Sequence, residues 1–305
     1  HTRSLSVSGL GDVYKRQEEL RGRRMNELRE KVWIVTGASG GLGLAIVKTL
    51  LKENIRVAAF SRSAERMEAA VGHGEQERFL ALSVKLHDEQ SVIEAKKRVL
   101  AKFGTVDVVV NNAGHGQRGA IEEVTDPEAR AMLDDNFFSQ LNMMRQFIPV
   151  MRENGGGYFI NMGSISSFTV KACSGIYAIS KYAVNALTEA INQEGAPFHI
   201  RATCVKPFDL RTAYLAPTHI QQGANRKECY ASIHEFNRLD DEETNGGQPG
   251  DPNKVADLFI KLAEEPEPPC SLFLDYPVEE LVHRVIDGRR AEIDKWEKLA
   301  CEFDA

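Results

Sequence analysis

Tyr177 and Lys181, one helical turn apart in YAISK, are a pair of side chains that could do chemistry together. A free phenol has a pKa of about 10, and a neighbouring ammonium group favours its anion. Such a pair could pass a proton to or from a substrate oxygen near neutral pH. The spacing alone says little, because a lysine stem lying over a core tyrosine on one helix needs no function. A second set is more specific. Thr36-Gly37-Ala38-Ser39-Gly40-Gly41-Leu42-Gly43 follows the apolar run KVWIVTG and opens a helical one. Glycines between a strand and a helix allow a tight turn, close approach of a pyrophosphate, and a helix N-terminus aimed at the phosphates. A merely tight strand-to-helix turn is the plain alternative, and the context favours a dinucleotide site.

These residues need elements to position them. Short β-branched runs alternate with helical stretches: KVWIVTG, RVAAF, FLALSV, VDVVVN, YFINMG, HIRATCV and CSLFLD read as strands. GLGLAIVKTLLKEN places Leu44, Val47, Leu50 and Leu51 on one helix face. Asp88 and Gly104 bracket another helix as N-cap and C-terminal stop, and a long one runs through Asn136 to Arg152. Near-continuous apolar strands separated by helices predict a parallel sheet covered on both faces. With right-handed crossovers this is a single doubly wound, Rossmann-type α/β domain over residues 25–305, with a seven-stranded parallel sheet. Residues 207–250 break the rhythm and read as a functional loop with short helices. Residues 278–301 read as a helix packing Leu281, Val285, Ile293, Trp296 and Leu299 along one face. Residues 1–24 lack an initiating Met and any apolar periodicity, so they are expected to be a non-native or disordered leader.

Composition narrows the function. A formal charge of -6 and a pI near 5.8 argue against nucleic-acid or anionic-membrane partners. No apolar run has the length of a membrane span. The five cysteines, Cys173, Cys204, Cys229, Cys270 and Cys301, show no C-x-x-C, and no H-E-x-x-H pair occurs, so no metal site is expected. Dispersed, reduced cysteines suit a cytoplasmic protein.

The glycine spacing T-G-x-x-x-G-x-G resembles the short-chain dehydrogenase/reductase family, and further landmarks follow in order: NNAG at 111–114, Asn136, Ser164, then Tyr177 and Lys181. The resemblance implies a catalytic set of Asn136, Ser164, Tyr177 and Lys181. It implies cofactor contacts from Gly37, Ser39, Gly41, Leu42, Gly43, Arg62, Asn111, Ala113, Gly114, Tyr177, Lys181, Pro207 and Thr212. Ser164 would hold the substrate oxygen, Tyr177 would act as general acid and base, and Lys181 would also bind the nicotinamide ribose. The implied activity is interconversion of an alcohol and a carbonyl, in a homodimer or homotetramer built on the helices carrying Asn136 and Tyr177.

Departures from the pattern matter. AAFSRS ends the second strand with Arg62 where an acid would take a ribose 2′-hydroxyl, so NADP(H) is favoured and NAD(H) stays possible. Lys85 replaces the usual Asp after strand three, and Phe208 replaces the Gly after Pro207. His115, Phe168, Cys173 and Phe208 are expected to line the substrate pocket, with Arg118 or Lys171 available to an acidic substrate. A nucleotide-sugar epimerase or dehydratase would show a different glycine spacing. A non-catalytic dinucleotide-binding redox sensor would not need the proton-relay set.

Overall fold

The computed structural model describes residues 25, 27–72, 74–216, 219–274 and 278–302. The leader expected at 1–24 lies outside the described residues. Strand β1 (Val32–Thr36) is buried along its whole length. Its side chains enter two cores alternately: Trp33 and Val35 join one, Val32 and Ile34 the other. It pairs in parallel with β2 (Arg56–Ser61) and β4 (Val108–Asn111). The small strands β5 (Gly116–Arg118) and β8 (Ile220–Gln222) pair with each other, also in parallel. β3 (Phe79–Ser83), β6 (Gly157–Met162), β7 (Ile200–Pro207) and β9 (Ser271–Leu274) complete a parallel sheet of order β3-β2-β1-β4-β6-β7-β9. The order reverses between β1 and β4, the crevice where ligands bind in such sheets. The seven-stranded, doubly wound arrangement expected from the sequence is the one observed.

Helices cover both faces. Leu42, Ile46 and Leu50 of α1 (Gly41–Lys52) share a core with Phe259 and Ile260 of the later helix Pro252–Glu264. Leu44, predicted for the same face, is only half-buried, and Ile46 takes the central place. α2 (Ala64–Val71) starts at Ser63, whose hydroxyl accepts from the Arg66 amide. α3 (Glu89–Phe103) has Asp88 as N-cap and Gly104 in the left-handed region at its end, as predicted. α4 (Asp126–Leu133) opens with a capping box between Thr125 and Glu128. It runs through a π-helical turn, Asp134–Phe138, into α5 (Ser139–Glu153). The single long helix read from the sequence is therefore widened at Asn136. α6 (Gly175–Glu194) carries Tyr177 and Lys181.

The excursion after β7 is closed at its neck, where Leu210 bridges Gly250 and the Arg211 amide donates to the Gly250 carbonyl at 2.8 Å. Within it lie β8 and a full helix, α7 (Ala231–Thr244), longer than the short helices expected. α8 (Pro252–Glu264) then leads to β9, and α9 (Val278–Cys301) ends the described chain. Only the first part of α9 meets the body: Leu281 and Val285 are half-buried, and Arg289 donates to the Tyr182 hydroxyl at 2.9 Å. Ile293, Trp296 and Leu299, expected to pack, are exposed, because β9 is the sheet edge and the helix outruns it. No described helix is long and apolar enough to cross a membrane.

Candidate active site

The glycine turn is held from below by one hydroxyl. Thr36 Oγ1 accepts from the Asn112 and Ala113 amides at 2.9 and 3.1 Å, tying the end of β1 to the chain after β4. A Cβ on Gly37 would stand 2.9 Å from Ala113 Cα, and one on Gly43 only 2.3 Å from the Gly37 carbonyl oxygen. Only glycine permits that packing. α1 starts from Gly40 in extended conformation, with no side-chain cap and no acidic residue in its first turn. Its leading amides thus lack a side-chain acceptor, and the helix end is electrostatically suited to a phosphate. Ser39 and Leu42 belong to this turn, and Thr212 lies across it, with its Cβ 3.6 Å from where a Gly41 Cβ would be. Pro207 ends β7 nearby in sequence. Arg62 is exposed at the end of β2 and has no carboxylate partner among the described residues. These residues fit a dinucleotide, and a free guanidinium fits a phosphate on its ribose.

Asn111, the first residue of NNAG, braces the sheet from within. It is buried and donates to Asn161 Oδ1 at 2.9 Å, and Asn161 donates to Thr188 Oγ1 at 2.9 Å. This chain of amides ties β4, β6 and α6 together, so Asn111 stiffens the sheet beneath the site. Gly114 is the point where the next groups meet. A Cβ there would lie 2.8 Å from Asn136 Oδ1 and 3.5 Å from Lys181 Nζ.

The π turn aims Asn136 inward, fully buried. Its Oδ1 accepts from the His115 amide and its Nδ2 donates to the His115 carbonyl, each at 3.0 Å, and also to Ser180 Oγ at 3.1 Å. Asn136 therefore clamps the chain after β4 onto α6. Lys181 is buried, donates to the Met162 carbonyl at 2.9 Å, and stands 5.8 Å from the Tyr177 ring centre. Ser164 caps a short 3-10 turn, its Oγ accepting from Ser166 at 3.1 Å.

A second phenol, unremarked in the sequence, stands beside Tyr177. Tyr214 follows Thr212, whose hydroxyl caps its turn, and the two rings lie 6.2 Å apart. Burial pushes the Tyr214 phenol well above its ordinary range, and the Tyr177 oxygen adds to this. Arg118 is close by, donating to Ser174 Oγ at 2.6 Å and to Asp241 of α7 at 2.5 Å. Burial opposes its charge, and the Asp241 pair outweighs that and raises its pKa.

The expected pocket residues divide. His115 turns its ring to Asp135 at 3.0 Å. Phe168 is half-buried, stacked edge-on against Phe273 at 5.2 Å with Arg289 over its face. Phe208 is 43% exposed, and its backbone lies outside the left-handed region that glycine would favour. Cys173 is buried with φ +58°, beside Glu123 and His234. The Glu123 carboxylate already accepts from the Ala120 and Lys227 amides, each at 2.7 Å, and pairs with His234 Nε2 at 2.9 Å. This cluster seats α7 on the body of the protein. Lys171 pairs with Asp240 at 2.5 Å, so both basic residues considered for an acidic substrate have partners.

Similarity to known proteins agrees with this geometry. The profile described as short chain dehydrogenase matches residues 31–223. A solved short-chain dehydrogenase from Streptomyces avermitilis is 31% identical, with a TM-score of 0.80, over 88% of this chain and 98% of its own. An alcohol dehydrogenase from Thermococcus sibiricus, complexed with 5-hydroxy-NADP, is 26% identical, with a TM-score of 0.65, over 80% and 95%. A 3-ketodihydrosphingosine reductase of Bacteroides thetaiotaomicron is 30% identical over 79% of this chain and 87% of its own. With the glycine turn, the inward asparagine and the Tyr177–Lys181 pair carried by elements around one parallel sheet, the chain belongs to the short-chain dehydrogenase family of oxidoreductases.

Proposed function

We propose that this protein interconverts an alcohol and a carbonyl with NADP(H), NAD(H) being the weaker cofactor, and that Tyr177 is the general acid and base. The observation that carries this reading is the Tyr177–Lys181 pair. A buried ammonium fixed to the Met162 carbonyl stands beside a phenol at the crevice where the sheet order reverses. The bound nicotinamide would supply or accept the hydride. Tyr177 gives its phenolic proton to the substrate oxygen in reduction and takes it back in oxidation. Lys181 favours the anion left on Tyr177 through its positive charge. Ser164 Oγ holds the substrate oxygen, and Asn136 keeps the chain after β4 locked to α6. The glycine turn and the α1 N-terminus bind the pyrophosphate, and Arg62 takes the 2′-phosphate.

The pairing of Arg118 with Asp241 and of Lys171 with Asp240 supports an uncharged substrate, since neither cation is left for a carboxylate. Relatives named as an alcohol dehydrogenase and a 3-ketodihydrosphingosine reductase support the alcohol and ketone chemistry. We further propose a cytoplasmic homodimer or homotetramer. The test is loss of NADPH absorbance across a panel of neutral ketones and aldehydes of increasing bulk. Turnover of apolar members supports the reading. Tight NADPH binding without turnover of any member would favour the redox sensor instead.

A further inference from the structure

Arg289, halfway along α9, reaches two elements of the candidate site. Its guanidinium donates to the Phe168 carbonyl and, at 2.9 Å, to the Tyr182 hydroxyl. It also lies over the Phe168 ring, 4.8 Å from its centre, and Phe273 of β9 meets that ring edge-on at 5.2 Å. Phe168 closes the 3-10 turn that Ser164 opens, its amide donating to the Ile165 carbonyl at 2.9 Å. At the start of the turn, the Ser164 hydroxyl accepts from the Ser166 amide at 3.1 Å, and the Ser167 hydroxyl donates to the Ser164 carbonyl at 2.6 Å. Tyr182 follows Lys181 on α6. One cation from the last helix thus joins the turn of Ser164 to the helix of Tyr177 and Lys181.

We propose that Arg289 is a positioning residue: it fixes the turn of Ser164 against α6 and so sets how Ser164 Oγ lies relative to the Tyr177 phenol. The proposal deepens the reading in which these two residues hold the same substrate oxygen, and rests on it. A serine hydroxyl has one hydrogen to give. While Ser164 Oγ accepts from the Ser166 amide, the lie of the turn decides where that hydrogen points. A carbonyl at the end of such a turn has no partner within it, and a charged donor satisfies it more strongly than a neutral one. The planar guanidinium can hold that carbonyl, the Tyr182 oxygen and the ring face together, which a compact ammonium could not do in one geometry. Leu281 and Val285 are half-buried nearer the start of α9, so the helix keeps apolar contacts of its own when Arg289 is changed.

The experiment compares the parent with Arg289→Ala, Tyr182→Phe and the two changes combined. Amide hydrogen exchange is followed across residues 165–169 and along α9 without ligand, and kcat, KM and NADPH Kd are measured with neutral ketones. In Arg289→Ala, exchange at 165–169 quickens about tenfold while the start of α9 keeps its protection. Its kcat falls about tenfold, because a small misplacement of reacting groups is costly, and NADPH Kd is unchanged. Tyr182→Phe gives a smaller loss in the same direction. The combined variant is no worse than Arg289→Ala alone, because both changes act through one guanidinium. Free guanidinium ion restores part of the kcat of Arg289→Ala. Exchange at 165–169 that matches the parent, or a kcat loss that comes only with undocking of the whole of α9, would overturn the proposal and leave Arg289 as an anchor for its own helix. If the parent turns over no carbonyl, the oxidoreduction reading fails, and the exchange pattern still decides whether Arg289 holds the turn.

Discussion

Removing a single oxygen from Tyr177 isolates its chemistry from its packing, because the ring stays where it is beside Tyr214 and Lys181. Tyr177→Phe is expected to lower kcat by about 10²–10⁴-fold, the usual size of general acid-base catalysis, with NADPH Kd nearly unchanged. Activity within tenfold of the parent would mean that another group carries the proton. Arg62 tests the cofactor end in the same way. It is exposed and has no carboxylate partner among the described residues, so Arg62→Asp breaks no ion pair there. The new carboxylate should repel a 2′-phosphate and accept from a 2′-hydroxyl, inverting the ratio of kcat/KM for NADPH and NADH. At this scale the sequence was most informative where spacing is local. Tyr177 and Lys181 share one helix face by arithmetic, and the glycines announce close approach by their lack of Cβ. Tyr214 was not legible, since its contact with Tyr177 depends on how the chain after β7 folds back. Asn111 was legible as a residue of interest, and its partners were not, because its amide chain to Asn161 and Thr188 exists only once three elements are assembled.

The elements that seat α7 are where local pattern failed. β5 and β8 are three residues each, too short to show a period, and the Arg118–Asp241 pair joins positions far apart in the chain. The widened turn at Asn136 was equally silent, because its apolar spacing continues that of an ordinary helix. The buried Glu123 holds this region by charge. Burial alone would raise its carboxyl pKa, but His234 and the Lys227 and Ala120 amides overcome that and bring it down to about 2. A carboxylate depressed on folding contributes stability that is present above its unfolded value and lost as pH falls through the folded one. The α7 segment should therefore hold above about pH 4.5 and loosen as the pH falls toward 2. Limited proteolysis by an acid protease across that window should cut the 219–244 segment progressively more readily. Glu123→Gln should make the segment labile already at neutral pH, because one carboxylate oxygen is replaced by a donor facing the Ala120 or Lys227 amide or His234. Equal cleavage of parent and variant at both ends of the window would show that other contacts secure α7.

At the scale of the whole molecule, the helical segments that carry Asn136 and Tyr177 also expose apolar residues. Phe138 on the π turn is 42% exposed, and Ile179 on α6, two positions from Tyr177, is 51% exposed. These belong to the helices that family resemblance assigns to self-association, and exposed apolar groups there gain by being covered. A two-fold contact would place each such residue against the same patch of another copy, so single changes act twice. It would also clamp α6 from outside, opposite the amide chain of Asn111, Asn161 and Thr188, and so tie assembly to the alignment of Tyr177. Light scattering at micromolar concentration is expected to give a mass well above the 34.0 kDa of one chain. Phe138→Glu combined with Ile179→Glu should return it toward that value, since four carboxylates would then face one another across a dimer contact. Neither side chain bonds to the catalytic set, so any fall in kcat that tracks the loss of mass reports the coupling of assembly to the site. A parent that is monomeric at these concentrations would refute the assignment of this face, and the exposed Phe138 and Ile179 would then be ordinary surface.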